Sequence, residues 1–134
     1  MLRSTVLRRS LLALFCLALL PVTQAAEPAH KPSNKWRLVV DGTARSAGDV
    51  SFRVTPNGGA PIEVSIKVPA NHGENAIAKD LRDAFREKLP KKAFHIERDD
   101  GEDVLLKKRM GQPDFLVELV SSTVENTSFK LKRE

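Results

Sequence analysis

The sequence predicts an α+β domain in which one amphipathic helix packs on a mainly antiparallel sheet of about six strands, in the order β-β-β-α-β-β-β. Two observations support this class. Apolar and polar residues alternate with a period of two in several short segments, and one segment between them has helical periodicity instead. Because the strands come in runs before and after the helix, an antiparallel sheet is favoured over parallel βαβ units.

The first half of the domain is predicted to form three strands. Residues 36–40 are the first strand, and Asp41 and Gly42 give a turn signal directly after it. Residues 50–55 and 62–68 alternate apolar and polar side chains, which is typical of half-buried strands. The intervening residues 56–61 contain two prolines and two glycines, and they therefore predict a hairpin loop.

One helix is predicted to follow and to end at Pro90. Asn71 and Glu74 have the spacing of a capping box with Asn71 as N-cap, although a start nearer Gly73 also fits. Charged residues, Arg86 among them, fall on the side predicted to face solvent. The apolar residues at helical spacing, which predict the buried side, are Ile77, Leu81, Ala84, Phe85 and Leu89.

The second half is predicted to be a further β region. Residues 94–97 and 104–107 flank the acidic stretch 99–102, which contains a glycine and predicts a compact hairpin turn. Residues 115–120 are strongly apolar and predict a buried strand, and residues 129–132 predict a short terminal edge strand.

Residues 1–25 have the pattern of a cleavable secretory signal peptide. Three arginines precede an apolar run at residues 11–20, and small residues follow a proline, with cleavage favoured after Ala25 rather than after Ala26. A run of about ten residues is too short for a spanning helix, which needs roughly 20, so no stable membrane anchor is expected. Residues 26–34 then form a flexible lead-in, and residues 35–134 a single compact domain.

Removal of the leader changes the composition. The chain has 22 basic and 17 acidic side chains, a net charge of +5, and the leader holds three of the basic ones and none of the acidic ones. The remainder therefore has 19 minus 17 charges, or +2, which disfavours a nucleic-acid partner. The only cysteine, Cys16, also lies in the leader, so the exported domain is expected to have no disulfide.

The sequence contains no recognisable catalytic or cofactor-binding motif. No serine elbow, phosphate loop or HExxH sequence is present, and His30, His72 and His95 are not at metal-ligand spacing. We therefore predict no catalytic residue and no cofactor. A small exported hydrolase remains the alternative, with carboxylates that are brought together only by the fold.

Acidic side chains are concentrated at the predicted turn of the second hairpin. A loop with several carboxylates is a weak calcium candidate, but the spacing does not match an EF-hand. The favoured interpretation is a solvated hairpin turn, in which glycine supplies a positive φ. The four candidate calcium ligands are Asp99, Asp100, Glu102 and Asp103.

Basic side chains are predicted to gather at the opposite end of the same hairpin. A register that places residue 97 near 104 and residue 93 near 108 would bring two basic pairs together, next to the last turn of the helix. This basic pole could bind an anionic partner, although lysines also protect strand ends and complement helix C-termini. Its predicted members are Lys88, Lys91, Lys92, Lys107, Lys108 and Arg109.

Taken together, these features favour a small non-enzymatic binding protein of the periplasm or the extracellular space. The expected partner is an anionic envelope component or an acidic protein that contacts the basic pole. A deep pocket with two or more carboxylates of raised pKa would instead favour the hydrolase.

Overall fold

The computed structural model describes residues 30–134, so the predicted signal peptide lies outside the described residues. The described part contains seven strands and one helix. In chain order they are β1 (Lys35–Asp41), β2 (Gly48–Pro56), β3 (Ile62–Val68), α1 (Glu74–Lys88), β4 (Phe94–Asp99), β5 (Asp103–Lys108), β6 (Phe115–Ser122) and β7 (Ser128–Arg133).

The strands form two antiparallel sheets. One has the order β4-β5-β1-β7 and the other the order β3-β2-β6. The predicted α+β class and the order of the elements are confirmed, and β7 is the predicted terminal edge strand. The difference from the prediction is that the strands, seven instead of about six, are divided between two sheets. β6 of one sheet contacts β7 of the other, and α1 contacts β3 of the three-stranded sheet and β4, β1 and β5 of the four-stranded sheet.

A single apolar core fills the space between the two sheets and the helix. On β1 the buried and partly exposed residues alternate, so that every second side chain points into the core. The buried side of α1 includes Ile77, Leu81 and Phe85, as predicted. Among the largest fully buried side chains are Trp36, Leu38, Phe52, Ile77, Leu81, Phe85, Leu106 and Phe115.

Trp36 joins the two sheets through a buried hydrogen bond. Its indole Nε1 donates to the carbonyl oxygen of Phe115 at 2.8 Å, and this bond links β1 with β6. The backbone of Ser33 also pairs with Phe115, and the amide of Lys108 donates to the carbonyl of Asn34. The last two residues of the predicted lead-in, Ser33 and Asn34, are therefore hydrogen-bonded to the domain.

The start of α1 corrects one prediction. The helix begins at Glu74 with Gly73 as its N-cap, and no side chain caps it, so Asn71 as N-cap is wrong and the start nearer Gly73 is right. Asn71 instead has φ of 67°, a left-handed conformation that asparagine tolerates in turns. The Glu74 carboxylate accepts a hydrogen bond at 3.2 Å from the amide of Gly42 rather than reaching back to Asn71.

The register of the β4–β5 hairpin is one residue away from the predicted one. Glu97 lies opposite Leu105, and Phe94 lies opposite Lys108. The reason is the turn, which is shorter than the predicted four residues because Asp99 pairs with Asp103. Because side chains alternate along a strand, Glu97 and Val104, which were predicted to lie opposite each other, point to opposite faces of the sheet.

Candidate anion-binding site

The structure separates the six predicted members of the basic pole into two groups. Lys88, Lys91 and Lys92 are exposed around the end of α1, and Arg109 is exposed directly after β5. Lys107 and Lys108 are consecutive residues of β5, and consecutive side chains of a strand point to opposite faces. The two lysines of β5 therefore cannot contribute to the same surface.

Both lysines of β5 are bound to carboxylates. Lys107 forms an ion pair with Glu97 across the hairpin, and Lys108 Nζ lies 2.7 Å from a carboxylate oxygen of Asp114. Hydrogen bonds from Lys107 and His95 hold the pKa of Glu97 below its ordinary value. The charges of Lys107 and Lys108 are compensated by these carboxylates, so we do not place either lysine in the binding site.

A cleft of about 600 Å³ opens between the C-terminal half of α1 and the edge strand β4. Two members of the predicted pole, Lys91 and Arg109, line it. We call it the Arg86–Arg109 pocket. Its lining residues are Arg86, Glu87, Leu89, Lys91, Phe94, His95, Ile96 and Arg109.

The two arginines are fixed by carbonyl groups at one end of the domain. Arg86 Nε donates to the carbonyl of Ile96 at 2.9 Å. Arg109 Nε donates to the carbonyl of Lys91 at 2.7 Å and to that of Phe94 at 3.2 Å. Within residues 30–134 neither guanidinium forms a salt bridge with a carboxylate, so each retains its positive charge and its terminal N–H groups for another acceptor.

Arg86 is the site residue that the sequence prediction missed. The helical pattern assigned it to the solvent side, and it is indeed exposed. Its position next to Phe85 and three residues before Leu89 places it at the border of the buried face, where a long side chain can reach the neighbouring strand. This position at the border of the buried face is the sequence feature that could have identified Arg86 as a site residue.

Glu87 is the one carboxylate among the residues that line the pocket. His95, at the rim, has its Nε2 3.2 Å from a carboxylate oxygen of Glu97. The carboxyl groups with a resolved pKa shift in the described part of the chain are Asp83, Glu97 and Glu134, and each pKa is lowered by basic neighbours.

The acidic residues of the predicted calcium candidate do not surround a common point. Arg37 Nη1 lies 3.1 Å from a carboxylate oxygen of Asp99 and 2.6 Å from one of Asp103. Asp100 and Gly101 form the turn itself, with φ of 49° and 81°. Across residues 30–134 no group of three or more histidine, cysteine or acidic side chains is arranged to hold a metal ion.

Arg37 is instead the centre of an ion-pair network on the outer face of the four-stranded sheet. Besides the two aspartates, its Nε pairs with the carboxylate of Glu134, which also pairs with Lys35. The hydrogen bonds from Arg37 and Lys35 lower the pKa of Glu134 to about 2. Hydrogen bonds to Glu134 and Asp103 raise the pKa of Arg37. The charges of this network are therefore paired with opposite charges, whereas Arg86 and Arg109 form no salt bridge within residues 30–134.

Comparison with known proteins gives no assignment. The chain matches no protein-family model, and no curated protein is significantly similar to it. The argument about function therefore depends on the geometry of the described residues.

Proposed function

We propose that this protein is a small exported, non-enzymatic binding protein that holds an anionic partner in the Arg86–Arg109 pocket. The observation that carries the proposal is the pair of guanidinium groups that are fixed by backbone carbonyls and have no carboxylate partner in residues 30–134. An arginine held in this way presents N–H donors in a fixed fork, the arrangement that suits carboxylate and phosphate oxygens.

The location of the pocket adds to its positive field. Lys91 lines the same cleft, while Lys88 and Lys92 are exposed nearby at the end of α1. These charges also complement the partial negative charge of the helix C-terminus. This interaction with the helix C-terminus explains why a basic residue lies in the last turn of α1. It does not explain why Arg86 and Arg109 approach the same cleft from different elements.

A binding role fits the pocket better than the hydrolase alternative does. General acid–base hydrolysis commonly needs two carboxyl groups, one of which has a raised pKa. The pocket is lined by Glu87 as its single carboxylate, and basic neighbours lower the pKa of Asp83, Glu97 and Glu134.

Export is tested by expression of the full chain in a Gram-negative bacterium. We expect the protein in the periplasmic fraction with Ala26 as its first residue, because cleavage is predicted after Ala25. A matched variant, Leu14→Arg/Leu17→Arg, interrupts the apolar run and should leave the protein unprocessed in the cytoplasm. An unprocessed full chain in both cases would contradict the export proposal.

Anion binding is tested by nuclear magnetic resonance on the protein purified from the periplasmic fraction, with inorganic phosphate as the probe. We expect phosphate to shift the amide signals of residues 86–89, 91–96 and 109. Arg86→Gln should weaken binding about tenfold, since one charge-assisted interaction is lost. Lys132→Gln removes the same charge from an exposed position on β7 and should change affinity less than twofold. Equal effects of the two variants, or no shift at the pocket, would refute the proposal.

A further inference from the structure

The floor of the Arg86–Arg109 pocket is apolar, although its rim is basic. Leu89, Phe94 and Ile96 line the cleft, with residual exposures of 3%, 6% and 5%. These side chains belong to the hydrophobic core and only their outer surfaces reach the cleft. A ligand in the cleft would cover the small part of this apolar surface that water still contacts.

The floor is held in place by packing against the second sheet. The ring of Phe94 meets the ring of Phe115 edge to face, with centroids 5.0 Å apart and an interplanar angle of 89°. Phe115 is fully buried. Because the floor belongs to β4 and to the residue that follows α1, its shape does not depend on a mobile loop.

The arrangement divides the pocket into two chemically different parts. Arg86 and Arg109 hold their positions through backbone carbonyls, and Lys91 adds a third cation at the rim. A cleft of about 600 Å³ has room for a small organic ligand.

We propose that the pocket binds a single anionic amphiphile, with a phosphate or carboxylate head on the two guanidinium groups and an alkyl chain on the apolar floor. This inference rests on the proposed function and specifies its ligand. A polysaccharide is a poorer match, since its hydroxyl groups would lie without partners against Leu89 and Ile96. A free anion is also a poorer match, because it would leave the floor uncovered.

The inference is tested by isothermal titration calorimetry of the protein purified from the periplasmic fraction. The probes are inorganic phosphate, a series of n-alkyl phosphates with four to ten carbons kept below their critical micelle concentrations, and 1-decanol. Each methylene buried on the floor should strengthen binding about threefold to fourfold until the cleft is full, after which affinity should level off. The tightest alkyl phosphate should bind at least tenfold more strongly than inorganic phosphate or 1-decanol.

Two variants and a vesicle assay complete the test. Arg86→Gln should weaken the tightest alkyl phosphate about tenfold, Arg86→Lys should restore part of that loss, and Lys132→Gln should change affinity less than twofold. Sedimentation with phosphatidylcholine vesicles that contain about 30% phosphatidylglycerol distinguishes a single lipid-like ligand from a membrane surface, because these vesicles present a strongly anionic surface. We expect the alkyl phosphates to compete with any vesicle binding.

The outcomes separate the two proposals. If phosphate binds at the pocket and the alkyl chain adds no affinity, the amphiphile inference is refuted while the proposed function stands. If neither phosphate nor any alkyl phosphate binds, both are refuted. Vesicle binding that alkyl phosphates do not compete away would overturn the inference in favour of a membrane surface.

Discussion

Removal of the guanidinium at the centre of the ion-pair network should destabilise the fold far more than removal of a neighbouring surface charge. In Arg37→Met the alkyl part is retained, but the carboxylate of Asp103 loses the single hydrogen-bond donor that it has within residues 30–134. The side chains of Arg37 and Asp103 are only 19% and 11% exposed. Breaking a fully buried pair costs about 3 to 5 kcal/mol, and partial solvation reduces this to about 2 to 3 kcal/mol.

A double-variant cycle isolates the pair from the rest of the network. Asp103→Leu alone should cost about 1 kcal/mol, since Arg37 keeps Asp99 and Glu134 as partners. The combined variant Arg37→Met/Asp103→Leu should be more stable than the sum of the single losses by at least about 1 kcal/mol, because no unpaired charge remains in a buried position. Lys132→Met, on an exposed side chain directly opposite Arg37 in the β1–β7 register, serves as the control and should cost less than about 0.5 kcal/mol.

The assay is urea unfolding at pH 7, followed by the fluorescence of Trp36, which is the only tryptophan of the chain and is fully buried. The free energy of unfolding is compared between variants that have the same m-value, so that a change of the unfolding midpoint reports a change of stability alone. If Arg37→Met is no more destabilising than Lys132→Met, or if the cycle shows no coupling, the network does not stabilise the fold and the reasoning is wrong.

Three further predictions concern pH and local packing. Because hydrogen bonds from basic neighbours lower the pKa of Glu134 to about 2, its ion pairs stabilise the fold above its ordinary pKa of 4.5. That stabilisation, about 1 kcal/mol after solvent screening, should disappear as the pH falls from 4.5 towards 2, and urea titrations of Glu134→Gln should lack this part of the acid dependence. Gly42→Ala should cost at least about 2 kcal/mol, since φ is +102° and the new Cβ would lie 2.3 Å from a backbone oxygen, whereas Gly58→Ala, at φ +76° in open space, should cost about 1 kcal/mol by the same measurement. Trp36→Phe removes the hydrogen bond to the Phe115 carbonyl and should lower the free energy of unfolding by about 2 kcal/mol, as followed by circular dichroism; an unchanged midpoint would mean that this bond does not stabilise the junction of the sheets.

Local patterns in the sequence predicted the elements well because they depend on neighbouring residues. β3 was predicted as residues 62–68 and has these bounds in the structure. Its alternation reflects an edge strand with one buried face, and the preceding prolines and glycines define the hairpin loop. The apolar stripe of α1 identified its buried side for the same reason.

Pairings between distant segments were not predictable from such patterns. Arg37 meets Asp103 and Glu134, which lie 66 and 97 residues further along the chain. Nothing in the local sequence indicates that β1 lies between β5 and β7, or that the strands separate into two sheets. The hairpin register was wrong by one residue because it depends on whether Asp99 belongs to the turn or to the strand.

The basic pole shows how the same limits affected the candidate site. A sequence that contains Lys107, Lys108 and Arg109 in succession suggests one patch of three cations. The pleat of β5 directs the two lysines to opposite faces, where each meets a carboxylate, and leaves Arg109 at the cleft. Arg86 was assigned to solvent because helical periodicity describes where Cα–Cβ vectors point, not how far a long side chain reaches.

The protection of a strand edge and the binding of an anion are compatible roles for the two arginines, because they use different atoms. β4 is an edge strand, and its carbonyls at Phe94 and Ile96 accept hydrogen bonds from Arg109 and Arg86. These bonds use the Nε donors, whereas a guanidinium has five N–H donors in all. A lysine could also discourage edge-to-edge pairing, but its flexible ammonium would not be held in one orientation. Anchoring through Nε therefore converts edge protection into a fixed pair of forks, and because neither guanidinium forms a salt bridge within residues 30–134, those forks are available to a ligand.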